Sequence, residues 1–401
     1  MKKNVFDPID EVIDAFRNGE VIVMTDDEDR ENEGDLVCAA EPITPDKINF
    51  MVTHARGLVC MPMEGNLLAR LGLDHMVPAH SSDKYHTAFM DSVDIREGTT
   101  TGISVADRAK TVLALVDEKT QPEDFIKPGH LFPLKAMPGG VLERAGHTEG
   151  TVDLAKICGL KPAGVICEIL REDGEMARLP ELRKFATKHG LKMTSVAEIT
   201  KYRYLNEVLV HRERKVDLPT DAGPFRLKLY HSDVDRKDHL ALVCGDATSG
   251  KTPLVRVHSE CLTGDVFHSQ RCDCGAQLHT AMEEVQKHGY GAIVYMRQEG
   301  RGIGLAKKIH AYELQEQGMD TVEANEHLGF NADLRDYGIG AQILQDLKMT
   351  KINLLTNNPA KISGLDKYGI EVIERIPLVL ASCEHNDFYL STKRDKMGHI
   401  L

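Results

Sequence analysis

From Arg203 onward the helix-and-strand patterning of the chain gives way to a charged stretch, RYLNEVLVHRERKVDLPTDAGPF, before strand-like runs resume at FRLKLYH. That break constrains the fold more than any other feature. On either side the apolar spacing is sustained and mixed, and the two sides do not repeat each other, which excludes a solenoid. A chain of 401 residues already exceeds the roughly 100–200 residues usual per domain. The expectation is two unrelated α+β (mixed α/β) domains with mixed sheets, residues 1–205 and 206–401, joined by a short charged linker.

Before the break, Ile9, Val12, Ile13 and Phe16 recur at helical spacing, with Gly19 as a stop. SVADRAKTVLALV reads as a helix capped by Ser104, and LPELRKFATKHGL and SVAEITKYRYL as two more. Val21 to Met24, Leu36 to Ala40, LVCMP, HTAFMDSVDI and AGVICEIL read as strands. The formal net charge of -13 disfavours a nucleic-acid backbone binder. No apolar run approaches the ~18 residues of a membrane span, and the N-terminus lacks the apolar core of a secretory signal. Nine cysteines, an odd number, then read as reduced thiols in a cytoplasm.

The loop DDEDRENEGD, with Arg30, Glu31 and Asp35, lies between two strand-like runs. Taken alone it is a solvated acidic turn. Two Gly-rich segments downstream argue for more: PGHLFPLKAMPGG carries His130, and ERAGHTEGT carries Arg144, His147 and Thr148. Glutamate oxygen with imidazole nitrogen suits Mg²⁺ or Mn²⁺ when a substrate adds oxygens. An arginine among glycine and threonine suits a phosphate. Glu168, amid the apolar residues of GVICEIL, reads either as an edge-strand glutamate or as a buried acid–base group with a raised pKa.

Taken in order, DDEDRENEGD, TTTGISVADRA, PGHLFPL, RAGHTE and GVICEI closely resemble 3,4-dihydroxy-2-butanone 4-phosphate synthase of riboflavin biosynthesis, over roughly residues 5–203. The resemblance implies Glu31 and His147 as ligands of Mg²⁺ or Mn²⁺. It implies D-ribulose 5-phosphate contacts at Arg30, Glu31, Asp35, Arg144, Ala145, Gly146, His147, Thr148 and Glu168, with His130 and Glu168 catalytic. Cys60 falls where that family has a cysteine near its site, although a buried apolar role suits a lone thiol in a strand.

In the second half, Cys261, Cys272 and Cys274 stand in RVHSECLTGDVFHSQRCDCGAQL. Three thiolates favour Zn²⁺ and leave a fourth position for water; a structural zinc completed by His258 or His268, or unliganded buried cysteines, are the other readings. MRQEGRGIGLAKKI is a Gly-rich strand-to-helix junction with Arg297 and Arg301 but without the Gly-Lys-Ser/Thr of a Walker loop. NADLRDYGIG and LLTNNPAKISGL follow. Together these closely resemble GTP cyclohydrolase II across residues 206–401. That resemblance implies Zn²⁺ on the three cysteines. It implies GTP contacts at Arg256, Val257, His258, Ser259, Glu260, Gln277, Glu299, Gly300, Arg301, Thr321, Thr356 and Lys361. Asp333 becomes a proton acceptor and Arg335 a nucleophile toward the α-phosphorus; since guanidinium stays protonated, Arg335 also reads as a stabiliser of the phosphoryl group. The joint expectation is a bifunctional, cytoplasmic, homodimeric riboflavin-pathway enzyme with no nucleic-acid or membrane partner. Its alternatives are one inactive half, or a zinc-dependent GTP-binding regulator without turnover.

Overall fold

The computed structural model describes residues 5–76, 85, 87–329, 336–380, 384, 386–398 and 400. The chain divides into two compact units, Met1–Arg203 and Tyr204–Leu401. The first unit contains a seven-stranded sheet of β1 (Ile22–Thr25), β2 (Gly34–Ala39), β3 (Cys60–Met63), β4 (Val93–Ile95), β5 (Phe125–Lys135), β6 (Gly164–Glu168) and β7 (Met193–Ser195). Their order across the sheet is β4-β5-β3-β6-β2-β1-β7. Every residue of β1 and β2 is buried, because successive side chains enter opposite apolar layers. Val23, Leu36 and Cys38 pack with Ile48, Val112 and Leu182 on one face. Ile22, Met24, Val37 and Ala39 pack with Val12, Phe16, Leu154 and Ile199 on the other. The result is a sheet covered by helices on both sides. Ser104 caps its helix as expected, accepting from the Asp107 amide at 3.1 Å.

The second unit holds β8 (Val210–Thr220), β9 (Gly223–Ser232), β10 (Asp238–Cys244), β11 (Leu254–Ser259), β12 (Gly291–Met296), β13 (Lys351–Leu355) and β14 (Glu371–Ile376). Their order is β14-β13-β11-β12-β10-β9-β8. β12, β11, β13 and β14 run parallel, while β10, β9 and β8 extend the sheet antiparallel. The charged stretch at which a linker was expected is structured: it contains β8, the edge strand. His211 to Asp217 are all exposed, so neither face of β8 buries a row of side chains and no alternation is written into its sequence. No helix among the described residues is long and apolar enough to cross a membrane.

Candidate active sites

In the first unit the acidic loop links the antiparallel neighbours β1 and β2, which meet at Thr25 and Gly34. Asp26 organises it. Its two carboxylate oxygens accept the amides of Glu31 at 3.0 Å and Glu33 at 2.8 Å, and one also faces Arg30 Nη1 at 2.9 Å. The loop therefore presents Glu31 toward His147, whose Nδ1 lies 3.7 Å from Glu31 Oε2. Ligand atoms of Asp26, Glu31 and His147 all lie within 4.8 Å of one another. His147 Nε2 is buried with no hydrogen-bond partner. Burial pulls the imidazole down, but Asp35, Glu31 and Asp26 outweigh it and hold the ring up at about 9. A buried ring nitrogen without a partner, beside two carboxylates, fits a divalent cation that would displace that proton.

Helix His147–Ile157 opens at Gly146, so its first amides lack intrahelical acceptors. A methyl group built on Gly146 would stand 2.5 Å from Arg144 Nη1 and 3.0 Å from Arg30 Nη2. Two guanidinium groups thus converge on a helix N-terminus, an arrangement suited to a phosphate dianion. Arg144 is braced by Glu149 at 2.6 Å, the Tyr85 carbonyl at 3.0 Å and Thr87 Oγ1 at 3.1 Å. Ala145 and Thr148 flank this turn in sequence, and Thr148 is buried.

The antiparallel register of β2 and β6 sets Asp35 directly opposite Glu168. From sequence Glu168 reads either as an edge-strand glutamate or as a buried acid–base group. That carboxylate is only partly buried, and its Oε2 accepts the Leu58 amide at 2.8 Å. It is Asp35 whose carboxyl burial pushes up to about 7, with His147 opposing and Glu168 adding to the rise. His130, on β5, is held by Asp94: Nδ1 lies 2.6 Å from Asp94 Oδ2, and the His130 amide donates to Oδ1 at 2.9 Å. Cys60 is buried in β3, where desolvation drives its thiol far above the ordinary value. That state suits packing better than nucleophilic work. Asp26 and Asp94 escaped sequence reasoning, because loop bracing and a cross-strand contact leave no spacing signal.

In the second unit, the carboxyl ends of the parallel strands β11, β12 and β13 lead to Glu260, to Glu299–Arg301 and to Thr356, as ligand sites in parallel sheets commonly do. One pocket is lined by Arg256, His258, Ser259, Glu260, Gln277, Glu299, Gly300, Arg301, Thr321, Thr356 and Lys361, together with Cys261, Cys272 and Cys274. Val257 is buried in β11 and does not line it. Its carbonyl accepts Lys361 Nζ at 2.7 Å. Gly300 and Arg301 both adopt left-handed backbone conformations, a strain that a non-glycine residue carries chiefly at functional turns. Asp333 and Arg335 lie outside the described residues.

The three thiols form one cluster within 4.8 Å, with Cys261 and Cys272 sulfurs 3.7 Å apart. Gly264 lies against them: an added methyl would meet Cys272 Sγ at 3.0 Å and Cys261 Sγ at 3.1 Å. Cys274 starts helix Cys274–His288, and its hydrogen bonds with Cys261 and Cys272, with burial, hold its own thiol well above the ordinary value. Hydrogen bonds from Cys272 and Cys274, with Lys308 alongside, hold the Cys261 thiol far below its ordinary value. Lys308 Nζ donates to Cys261 Sγ at 3.1 Å and to Glu299 Oε1 at 2.7 Å, a bridge from thiols to Gly-rich turn that the sequence showed only as half of a Lys-Lys pair. His258 does not join the thiols. Its Nε2 faces Asp265 at 3.2 Å, and Asp265 also accepts the Tyr295 hydroxyl and the Cys261 amide. Three converging sulfurs beside a cation fit a soft divalent ion such as zinc.

Comparison with known proteins follows the same division. The family model for 3,4-dihydroxy-2-butanone 4-phosphate synthase matches residues 10–202, and that for GTP cyclohydrolase II matches residues 211–377. The riboflavin biosynthesis protein RibBA of Bacillus subtilis (strain 168) is 58% identical over 398 residues, 99% of this chain and 100% of that protein. Its counterpart in Bacillus velezensis is 56% identical over the same length and shares. Among solved structures, RibBX of A. baumannii, described as a two-domain 3,4-dihydroxy-2-butanone 4-phosphate synthase, matches with a TM-score of 0.72 at 37% identity. The match covers 93% of this chain and 100% of that one.

Proposed function

The chain belongs to the riboflavin-biosynthesis family that joins 3,4-dihydroxy-2-butanone 4-phosphate synthase to GTP cyclohydrolase II, and on that premise we propose that the two constellations described above are its two active sites. As a bifunctional lyase and hydrolase, it converts D-ribulose 5-phosphate to 3,4-dihydroxy-2-butanone 4-phosphate and formate. It also converts GTP to 2,5-diamino-6-(5-phospho-D-ribosylamino)pyrimidin-4(3H)-one, formate and diphosphate.

In the first site, Arg30, Arg144 and the helix N-terminus at Gly146 bind the sugar phosphate. Glu31 and His147, braced by Asp26, would hold Mg²⁺ or Mn²⁺, which supplies positive charge against a developing enediolate. Asp35 and Glu168, side by side, hold and move protons at the sugar carbons, and Asp35 is suited to this because its carboxyl exchanges near neutrality. His130, oriented by Asp94, is a third proton carrier.

In the second site, Cys261, Cys272 and Cys274 would hold Zn²⁺, which supplies an electrophile for the hydrolysis that opens the guanine imidazole ring. Arg301, Lys361 and the strand ends that line the pocket bind the nucleotide. Asp333 and Arg335 are the groups proposed for cleavage at the α-phosphorus, as proton acceptor and as phosphoryl-binding cation. The observation that carries this assignment is the opening of the thiols and three parallel strand ends onto one pocket. A cytoplasmic homodimer is part of the proposal, on the strength of the resemblance.

Formate release from each substrate separately, with diphosphate measured for GTP, tests both sites. Formate from both substrates is the expected result; GTP bound but intact would favour the regulator. Sedimentation tests the dimer, which should run at twice the 44.6 kDa chain mass.

A further inference from the structure

The family match in the second half ends at residue 377, yet the chain beyond it returns to the nucleotide pocket. Helix Asp387–Met397 contributes Tyr389 and Lys393 to the pocket wall. Lys393 is buried, and its Nζ donates to Asp273 Oδ1 at 2.6 Å. The other oxygen of Asp273 accepts Gln277 Nε2 at 2.6 Å. Gln277 Oε1 in turn accepts from Arg256 Nη2 at 2.5 Å, while Arg256 Nη1 donates to the Leu355 carbonyl at 3.0 Å. An unbroken run of hydrogen bonds therefore links this segment to the arginine on β11. Two further ties accompany it. Lys396 bridges Asp320 and Glu323, which cap the helix that carries Thr321. The Ile400 amide donates to the Asn357 carbonyl at 2.9 Å. The segment thus holds three parts of the pocket rim: the start of helix Cys274–His288, the start of helix Thr321–His327, and the turn after β13.

We propose that helix Asp387–Met397 is an integral wall of the nucleotide site and that Lys393 is a positioning residue for GTP, acting through Asp273 on Gln277 and Arg256. This rests on the assignment of the pocket to GTP. Without the Lys393 ammonium, Asp273 is a buried carboxylate with one oxygen unpaired, and it is driven to turn toward another donor. That turn removes the acceptor that fixes which way the Gln277 amide faces, and Arg256 loses its orienting partner. The nucleotide then meets a less preorganised site, so the cost falls on binding more than on the chemical step.

The test uses the full chain with Lys393→Met and Lys393→Arg. It measures KM and kcat for formate release from GTP, Kd for an α,β-methylene GTP analogue, zinc per chain, and ribulose 5-phosphate turnover. Lys393→Met should raise KM and Kd about tenfold and leave kcat within about threefold, with zinc content and the first activity unchanged. Lys393→Arg, which keeps the charge, should recover most of the affinity. Unchanged KM and Kd in Lys393→Met overturn the proposal. So does zinc loss accompanied by a fall in kcat, because Lys393 would then merely support the thiols. If Lys393→Met is insoluble, Lys396→Met on the exposed side of the helix should raise KM about twofold to threefold, and wild-type KM there overturns the wall assignment. A wild-type chain that neither binds the analogue nor turns over GTP overturns the pocket assignment itself, a result distinct from all of these.

Discussion

Asp35 is 2% exposed, and its Oδ1 has no hydrogen-bond partner. Its carboxyl is pushed up to about 7, chiefly by desolvation. In the unfolded chain the same group ionises near pH ~4. Between those values the folded state holds a proton that unfolding releases, so the contribution of Asp35 to stability falls as pH rises from about 4 to about 7. Asp35→Asn keeps the size and removes the charge. At pH 8, with a chelator present, the variant's first unit should be more stable than wild type by about 1–3 kcal/mol. The gain should shrink toward pH 5, and ribulose 5-phosphate turnover should be lost at both. Melting curves at the two pH values check this, and a gain equal at both would remove burial of charge as its cause. The same residue marks where sequence reading stopped. The three cysteines were legible from residue type and local spacing, whereas Glu31 and His147, far apart in the chain, came only through the family resemblance. The pairing of Asp35 with Glu168 depends on the register of β2 against β6, which no short motif records.

Strands buried on both faces, such as β1 and β2, were legible as short continuous apolar runs. β8 was not. The backbone leading into β8 is fixed by Gln342, from helix Gly338–Asp346, whose Oε1 accepts the Leu209 amide at 2.9 Å. Gln342 Nε2 donates to the carbonyls of Tyr204 and Glu207 at 2.8 and 2.7 Å. One buried side chain thereby satisfies three backbone groups in the turn that feeds β8. Gln342→Met keeps the volume and strands all three, at a cost of about 1–3 kcal/mol for a group left unpaired in the interior. The expected outcome is a lower denaturation midpoint for GTP turnover, with the midpoint for ribulose 5-phosphate turnover unmoved. Matching midpoints in variant and wild type would show that water replaces the amide without loss. HTAFMDSVDI shows the opposite error: it reads as one long strand, but among its described residues only Val93–Ile95 form one. Just beyond it, Thr99 Oγ1 bonds the Ile95 carbonyl, and the Thr100 hydroxyl and amide turn to Asp107.

At the scale of the molecule, a fold and an activity are separate matters. In the proposal above, the second activity rests on particular side chains, the three thiols and the pocket they open onto, rather than on the sheet beneath them. Each unit has its own sheet and its own cluster of ligand atoms. Glu31→Gln should abolish turnover of ribulose 5-phosphate and leave GTP turnover within about twofold. Cys272→Ser should do the converse, with zinc lost. Loss of both activities in either folded variant would mean that the two reactions depend on one site. The two family matches lie on one polypeptide, so each chain made brings one copy of each catalyst. Within this protein the balance between the two precursors is set by the turnover rates of the two sites, not by their relative amounts.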